Sequence, residues 1–417
     1  MQAEIITIGD ELLMGLTVDT NSAWMGQFLT AHGFNVYQIT SVSDNAIQIR
    51  DALDMATKRS DLVLVTGGLG PTSDDITKET LAGYFNMELE INTDILESIR
   101  KLLDARGLEM NENNRMQAKV PAGCLVLPNG RGTAPGMLFR KGKTIVISMP
   151  GVPYEMKDIM ENQVGPYIKK NFNKDIIKYS IVMVYGTFEA KLAEILEPFE
   201  EQLPANVSLA YLPTQGIIKL RLTAKGKDET ILDKLLKDQV RLLEESIPEF
   251  IYGYDGELLE EVTGKLLRQQ NETCSVAESC TGGNISHMLT AVPGSSDYFR
   301  GGVVAYHNDI KTEELGVDPE LIIRHGAVSR EVAVAMAEGI RKKFNSDYAI
   351  STTGIAGPGG GSEEKPVGTV WIGISSASGS AAIKRSFGTE RQNNIRRSSL
   401  AALDMLRRAI LTAGEEA

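Results

Sequence analysis

Cysteine, histidine and tryptophan are scarce in this chain: its 417 residues include three, four and two of them. Cys124, Cys274 and Cys280 cannot build a disulfide framework, and none is spaced as a zinc-ligand pair. Four scattered histidines argue against a His-rich metal site. No apolar run approaches the roughly 18 residues that span a bilayer, so no membrane partner is expected. The first residues, Met1-Gln2-Ala3-Glu4-Ile5, lack the positive n-region of a secretory signal. Positive charge is also in deficit: 43 Lys and Arg face 55 Asp and Glu, a net charge of −12. That balance argues against a broad surface for nucleic-acid backbones. The expectation is a cytoplasmic globular protein with no nucleic-acid partner. At roughly 150 residues per domain, it has two to three domains.

Glycine is what the chain has in excess. Its 40 glycines are close to a tenth of the residues, above the ~7% of an average chain. Their placement follows from the elements. Strand patterns at Glu4–Ile8, Phe34–Ile39, Leu62–Thr66, Met137–Phe139 and Thr144–Ser148 alternate with helical patterns. Those helices cover Asn21–His32, the stretch from an Asp44 cap to Thr57, Asp75–Tyr84, Thr93–Arg106 and Tyr154–Lys169. Such alternation predicts βαβ units and a mainly parallel sheet. A middle segment reads β-α-β-β-α: strands Ile176–Val184, Val207–Tyr211 and Gly216–Thr223, with helices Phe188–Gln202 and Asp228–Ile247. From Leu258 onward the α/β rhythm returns. Strands are expected at Thr273–Ala277, Gly302–Tyr306, Tyr348–Thr353, Val367–Ser375 and Ala381–Phe387. Helices are expected at Leu258–Gln270, from near Thr281 to Ala291, at Arg330–Phe344 and at Asn394–Thr412.

Gly-rich clusters follow several of these strands. Gly9–Gly15 (GDELLMG) reads as a loop after the first, and Gly67–Asp75 (GGLGPTSDD) follows Leu62–Thr66. In open α/β sheets, ligands sit beyond the carboxyl ends of strands, where glycine lets backbone N–H groups approach a phosphate. Both clusters also carry carboxylates, Asp10 and Glu11 in one and Asp74 and Asp75 in the other. Carboxylates repel a phosphate unless a divalent cation lies between them. The combination points to a metal-bridged phosphate ester, against the plainer reading of tight turns and helix caps.

Near the other end, Glu278-Ser279-Cys280-Thr281-Gly282-Gly283 joins a strand to a helix. A Ser or Cys at such a turn is placed to be a nucleophile, with the helix N-terminus available to an oxyanion. Cys280 competes with Ser279 for that role. His287 lies too far along the helix to be the base, and His307 and His325 have no triad-like context. Lys311 can serve if its surroundings lower its pKa. Five glycines between Gly354 and Gly361 exceed what a turn requires and suit close backbone approach to a ligand, with the Thr353 hydroxyl beside them.

Ordered motifs then make the chain similar to a known family. GDELLMG, VDTN (Val18–Asn21), GGLGPTSDD, GTAPG and MPGVPYEM resemble the N-terminal domain of the CinA family (competence/damage-inducible protein A), which has a molybdopterin-binding-like fold. AESCTGG, VPGSSDYFRGGVVAYHNDIK, HGAVS, TGIAGPGGG and KPVGTVW resemble its C-terminal domain. The segment between resembles the family's KH-like domain and lacks a G-x-x-G nucleic-acid clasp. The resemblance implies an α/β domain at 1–170, a small α+β KH-like linker or dimerisation domain at 171–253, and an α/β domain at 254–417. For the first domain it implies divalent-metal-dependent hydrolysis of ADP-ribose. Asp10, Asp74 and Asp75 would handle the metal, and Gly68, Gly70 and Asn21 the ligand. For the last it implies amidohydrolysis of nicotinamide mononucleotide without a cofactor. There Ser279 would be nucleophile, Lys311 base and Tyr306 part of the proton network. Thr281, Gly282, Ser296, Thr353, Gly354 and Gly357 would hold the substrate, with Arg396 on its 5′-phosphate. A homodimer is implied too. The alternative is a nucleotide- or pterin-binding regulatory protein linked to competence or DNA damage. His307 stands where relatives often have a small residue.

Overall fold

The computed structural model describes residues 1–72, 74–172 and 176–415; Ser73 of the GGLGPTSDD motif lies outside them. By compactness the chain divides into two units, Met1–Lys178 with Ala224–Asp233, and Tyr179–Thr223 with Lys234–Ala417.

The first unit is built on a six-stranded sheet. Its strands run in the order Asn35–Val42, Gln2–Ile8, Leu62–Thr66, Thr144–Met149, Gly136–Lys141 and Leu125–Leu127. The first four are parallel and the last two antiparallel. Strand side chains alternate between faces, and here both faces are apolar. Ile5, Leu62, Leu64 and Ile147 pack on Met25, Leu29 and Ile168. Ile6, Ile8, Val63, Val65 and Val146 pack on Ile49, Leu53 and Leu81. Helices covering both sides explain why Leu62–Thr66 reads as one continuous apolar run. The chain leaves Gln2–Ile8 for the strand on one side, then crosses to Leu62–Thr66 on the other. That reversal is a topological switch point, which opens a crevice at the strands' carboxyl ends.

Two local expectations are corrected here. The segment expected as a loop after Ile8 contains a one-turn helix, Asp10–Leu13. The helix expected to be capped by Asp44 spans Ala46–Arg59 and is capped by Asn45, whose Oδ1 accepts from the Ile47 and Gln48 amides. Asn and Asp cap equally well, so spacing alone could not choose between neighbours. The choice matters because it leaves the Asp44 carboxylate for other partners.

The middle segment forms a four-stranded sheet in the order Val207–Thr214, Ile217–Gly226, Ile176–Tyr185 and Ile251–Tyr254, with helices Glu189–Glu201 and Glu229–Ser246. The edge strand Ile251–Tyr254 escaped the sequence reading because it is four residues long and contains Gly253.

The second unit carries a five-stranded sheet ordered Phe299–Val304, Cys274–Glu278, Tyr348–Gly354, Thr369–Ser376 and Gly379–Ser386. The first three strands are parallel and the rest antiparallel. Its switch point lies at the end of Cys274–Glu278, flanked by strands reached from opposite directions. The long helix Arg391–Glu415 contributes Leu400, Leu403 and Leu406 to the core beneath. Among the described residues no helix is long and apolar enough to cross a membrane.

Candidate functional site

Four of the five N-terminal motifs, far apart in sequence, meet at the first switch point. A cavity of about 370 Å³ opens there. It is lined by Gly9 and Glu11, by residues of the 67–75 turn, by Thr133 and Ala134, and by Pro150, Gly151, Val152 and Glu155. The fifth motif, VDTN, lines a smaller cavity of about 120 Å³ that shares Ile8, Glu11 and Gly151 with the first. Asn21 sits there and donates to the Gly151 carbonyl at 2.7 Å, while its own Oδ1 is buried without a partner. Gly67, at φ +111°, follows the Leu62–Thr66 strand so closely that a Cβ would collide with the Ile8 carbonyl oxygen. Gly68 likewise rides over the Thr77 hydroxyl, and Gly70 over the Asp75 carboxylate. The glycines therefore shape the turn by close approach of its own atoms.

The acidic set differs from expectation. Asp74 and Asp75 line the cavity, but Asp10 does not. The Asp10 carboxylate accepts instead from Ser43 Oγ at 2.6 Å, because the one-turn helix rotates it outward. Glu11 and Asp44 take its place among the lining residues. Asp44 accepts from the Asp10 amide at 3.1 Å. Its pKa is raised, first by burial and then by the nearby carboxylates of Asp10, Glu11 and Asp74. Asp75 is partly committed, accepting from the Thr72 amide and hydroxyl. Among the described residues no three Asp, Glu, His or Cys side chains are grouped so as to hold a metal alone. The donor set nonetheless suits a hard cation that takes one or two carboxylates and completes its shell with phosphate oxygens and water. Mutual repulsion around Asp44 is what such a cation would relieve.

Beside this cavity lies another of about 110 Å³, sharing Leu69, Gly70, Pro71, Asp75 and Gln117 and adding Lys78, Asn113 and Lys119. Gln117 was not singled out from sequence. It is 3% exposed and its Oε1 has no partner. Lys78 donates to the Met116 carbonyl at 2.9 Å. Its pKa is lowered, chiefly by burial, with Glu79 acting the other way and Lys119 adding to the shift.

In the second unit, Ser279 follows the Cys274–Glu278 strand at its switch point and is 8% exposed. Its amide donates to the Thr352 carbonyl at 2.9 Å, which ties the turn to the neighbouring strand. The following helix begins at Asn284, not near Thr281, because Gly282 and Gly283 take φ of +62° and +99°, outside the helical region. The helix N-terminus is not open to an oxyanion as the sequence suggested. The buried Glu278 carboxylate accepts from the Gly283, Ile285 and Ser286 amides and the Ser286 hydroxyl, at 2.8–3.0 Å. The protein's own anion fills the position that the macrodipole favours. Glu278→Gln should therefore destabilise the fold by roughly 2–3 kcal/mol, the scale of charge-assisted bonds left unmade. Urea unfolding checks it, and an unchanged midpoint would refute the capping role.

Lys311 is buried, the setting expected to lower its pKa. It is 1% exposed on the helix Asn308–Leu315, and Nζ donates to the Ala305 and Tyr306 carbonyls at 2.8 and 3.3 Å. Burial pulls its pKa down, against a smaller opposing effect of Cys280. The Cys280 thiol is pushed up to about 12 by burial, so it carries no standing thiolate near neutral pH and, like Ser279, would need a base to act as a nucleophile. His287 is exposed on the helix Asn284–Ala291. His307, the unusual residue, caps the Lys311 helix through Nδ1, which accepts from the Asp309 amide at 3.4 Å.

The expected substrate contacts fare unevenly. Tyr306 is 58% exposed, and its hydroxyl accepts from Arg391 Nη2 at 2.8 Å. The other arm of Arg391 donates to the Gly357 carbonyl at 2.8 Å. Arg391, not Arg396, thus joins the tyrosine to the Gly-rich loop. Five residues on, Arg396 is turned by roughly 140° about the helix and acts on the Glu260 carboxyl. Thr281 is buried, its hydroxyl paired with that of Thr352 at 2.7 Å. Thr353 donates to the Ala327 carbonyl at 2.7 Å, so its hydroxyl is not free as expected. Gly354 packs against Thr369 and Val370, and Gly357 against Val367 and Thr389. Gly282 is exposed with open space around it. Ser296 is not brought to the site. It precedes the Phe299–Val304 strand, whose start pairs with Cys274, whereas Ser279 follows the other end.

Fold and site together define a protein with two α/β units, each with a topological switch point in its sheet, and a cavity at the first. Residues 4–170 match the family described as "Probable molybdopterin binding domain", 180–253 the "Damage-inducible protein CinA KH domain" and 256–410 the "CinA C-terminal domain". The chain is 45% identical over 408 residues to a CinA-like protein of Cytophaga hutchinsonii, covering 98% of each. It is 43% identical over 413 residues to that of Flavobacterium psychrophilum, covering 99% of each. The chain belongs to the CinA family. Among solved structures, the protein CinA of Thermoplasma acidophilum is 39% identical, covering 40% of this chain and 97% of its own, with a TM-score of 0.37.

Proposed function

We propose that the second unit hydrolyses the carboxamide of nicotinamide mononucleotide, with Ser279 as nucleophile and Lys311 as its base. The observation that carries this reading is a serine on a tight strand-to-helix turn, together with a buried lysine of lowered pKa that acts on the adjacent Cys280 and holds the Ala305 carbonyl, one residue past the Glu278–Val304 strand pair. The neutral Lys311 amine takes the hydroxyl proton as Ser279 Oγ bonds to the carboxamide carbon. The C–N bond then breaks, and the proton held on Lys311 goes to the leaving nitrogen, releasing ammonia. Water, deprotonated by the same amine, cleaves the acyl ester and frees the acid and Ser279. Because Glu278 occupies the helix start, the oxyanion donors are the turn amides of Cys280 and Thr281. Arg391 is the cation offered to the 5′-phosphate. Ammonia release from nicotinamide mononucleotide tests the reading.

We further propose that the first unit hydrolyses the pyrophosphate of ADP-ribose, water attacking one phosphorus as the bridging P–O bond breaks to give two phosphomonoesters. One or two of the carboxylates of Glu11, Asp44 and Asp74 would hold a divalent cation, which supplies charge neutralisation of the pyrophosphate oxygens. The protein's part is to orient the diester along the 67–70 turn and keep those carboxylates converged. Chelation should abolish ADP-ribose hydrolysis while leaving ammonia release untouched, and restoring divalent metal should recover it. ADP-ribose hydrolysis that survives exhaustive chelation would refute the metal assignment. Tight pterin binding without hydrolysis would favour the regulatory alternative.

A further inference from the structure

The carboxylate-lined cavity explains a cation but leaves its neighbour unexplained. That neighbour, of about 110 Å³, has a different chemistry. Lys78 and Lys119 both line it, and among the described residues neither makes an ion pair. Two cations in one small cavity repel each other unless an anion comes between them. Asn113 adds a donor at the exposed rim. Gln117 forms part of the wall shared with the larger cavity. It is nine-tenths buried and more, with an amide oxygen that has no hydrogen-bond partner among the described residues. A buried polar atom without a partner costs stability, which a ligand hydroxyl or N–H would offset. Two carboxylates also line the cavity: Asp75 is turned to Thr72 and Glu79 is exposed, and both act on the Lys78 charge, Glu79 more than Lys119 does. The space admits a few water molecules, hence one tetrahedral anion and not a nucleoside.

We infer that Lys78, Lys119, Asn113 and Gln117 form a separate phosphoryl subsite beside the carboxylate cavity, taking one phosphate group of a phosphate ester. This rests on the pyrophosphatase reading for its placement in a reaction, but not for its existence. The subsite holds a phosphoryl group through lysines, whereas the adjacent cavity holds one through a cation. A substrate with two linked phosphoryl groups can span both, and the product phosphomonoester is retained by the lysines. Gln117 accepts a hydrogen bond from a hydroxyl of the attached sugar.

The test uses the full chain without divalent metal, with inorganic phosphate as the probe. Lysines are acetylated with acetic anhydride and read by peptide mass spectrometry. Phosphate should slow acetylation of Lys119 and Lys78 but not of Lys101, a solvated lysine that is 76% exposed. In parallel, Lys119→Gln should raise the KM for ADP-ribose by about tenfold, the loss of one charge-assisted hydrogen bond, with kcat and melting temperature little changed. Acetylation unaffected by phosphate, or an unchanged KM in Lys119→Gln, overturns the subsite. If phosphate shields the lysines but the wild-type chain does not hydrolyse ADP-ribose, the subsite stands and the pyrophosphatase reading falls. Hydrolysis without shielding removes the subsite alone.

Discussion

Ser279→Ala should lower ammonia release from nicotinamide mononucleotide by about a thousandfold or more, the scale of removing a nucleophile that acts as a unit with its base. The fold should barely respond. Ser279 is held through its amide, which bonds to the Thr352 carbonyl and survives the substitution. Among the described residues its hydroxyl makes no hydrogen bond, so alanine leaves no partner there unsatisfied. ADP-ribose hydrolysis, assigned to the other unit, should be unaffected in the same preparation. Ammonia release at wild-type rate in Ser279→Ala would remove the nucleophile assignment. Absence of ammonia release from the wild-type chain would remove the amidohydrolase reading itself.

Lys311→Met should have the second largest effect, a loss of roughly 10²–10⁴-fold, the span of general-base contributions. Two signs accompany it. The wild-type rate should rise with pH as the amine becomes neutral, and level off below the ordinary lysine value of about 10.4, because burial lowers the Lys311 pKa. Stability follows the same direction. Between the lowered folded pKa and the unfolded one, the unfolded chain binds more protons, so stability rises with pH across that window. Below the folded pKa the full cost of a buried ammonium is present. Methionine removes that cost, so Lys311→Met should gain stability at neutral pH. The gain is offset in part by the Ala305 and Tyr306 carbonyls, which lose their donor. It should shrink as pH climbs through the folded pKa. A flat pH–rate profile, or a variant within a few-fold of wild type, would exclude Lys311 as the base.

Much of this was legible in the chain itself. Runs such as Leu62–Thr66, bounded by Gly67-Gly68, specify a buried strand ending in a tight turn wherever they occur, because apolar periodicity and glycine act locally. The expected strands and helices therefore match elements of the fold apart from their ends, while the short strands of the first unit and the helices Asn308–Leu315 and Pro319–His325 were not expected. Ser279 could be placed on a strand-to-helix turn for the same reason. Short segments such as Ile251–Tyr254 escaped because four residues carry too little pattern.

Local pattern along the chain sets where it turns and which chemical groups it brings to each turn. Alternating elements, glycine after strands and carboxylates beside glycine all follow from neighbours in sequence. Which of those groups face a ligand was decided only in three dimensions. Asp10 turns to Ser43 and Asp44 to the cavity, through contacts between residues more than 30 apart. Arg391 rather than Arg396 meets Tyr306, 85 residues away. Glu278 fills the helix start that an oxyanion was expected to use. Ser296 lies at the wrong end of its sheet. Lys78, Lys119 and Gln117, inconspicuous in sequence, come together around one cavity. The physical reason is common to all: a side chain's direction is set by what packs against it and by which polar partner it reaches first, and both come from distant parts of the chain.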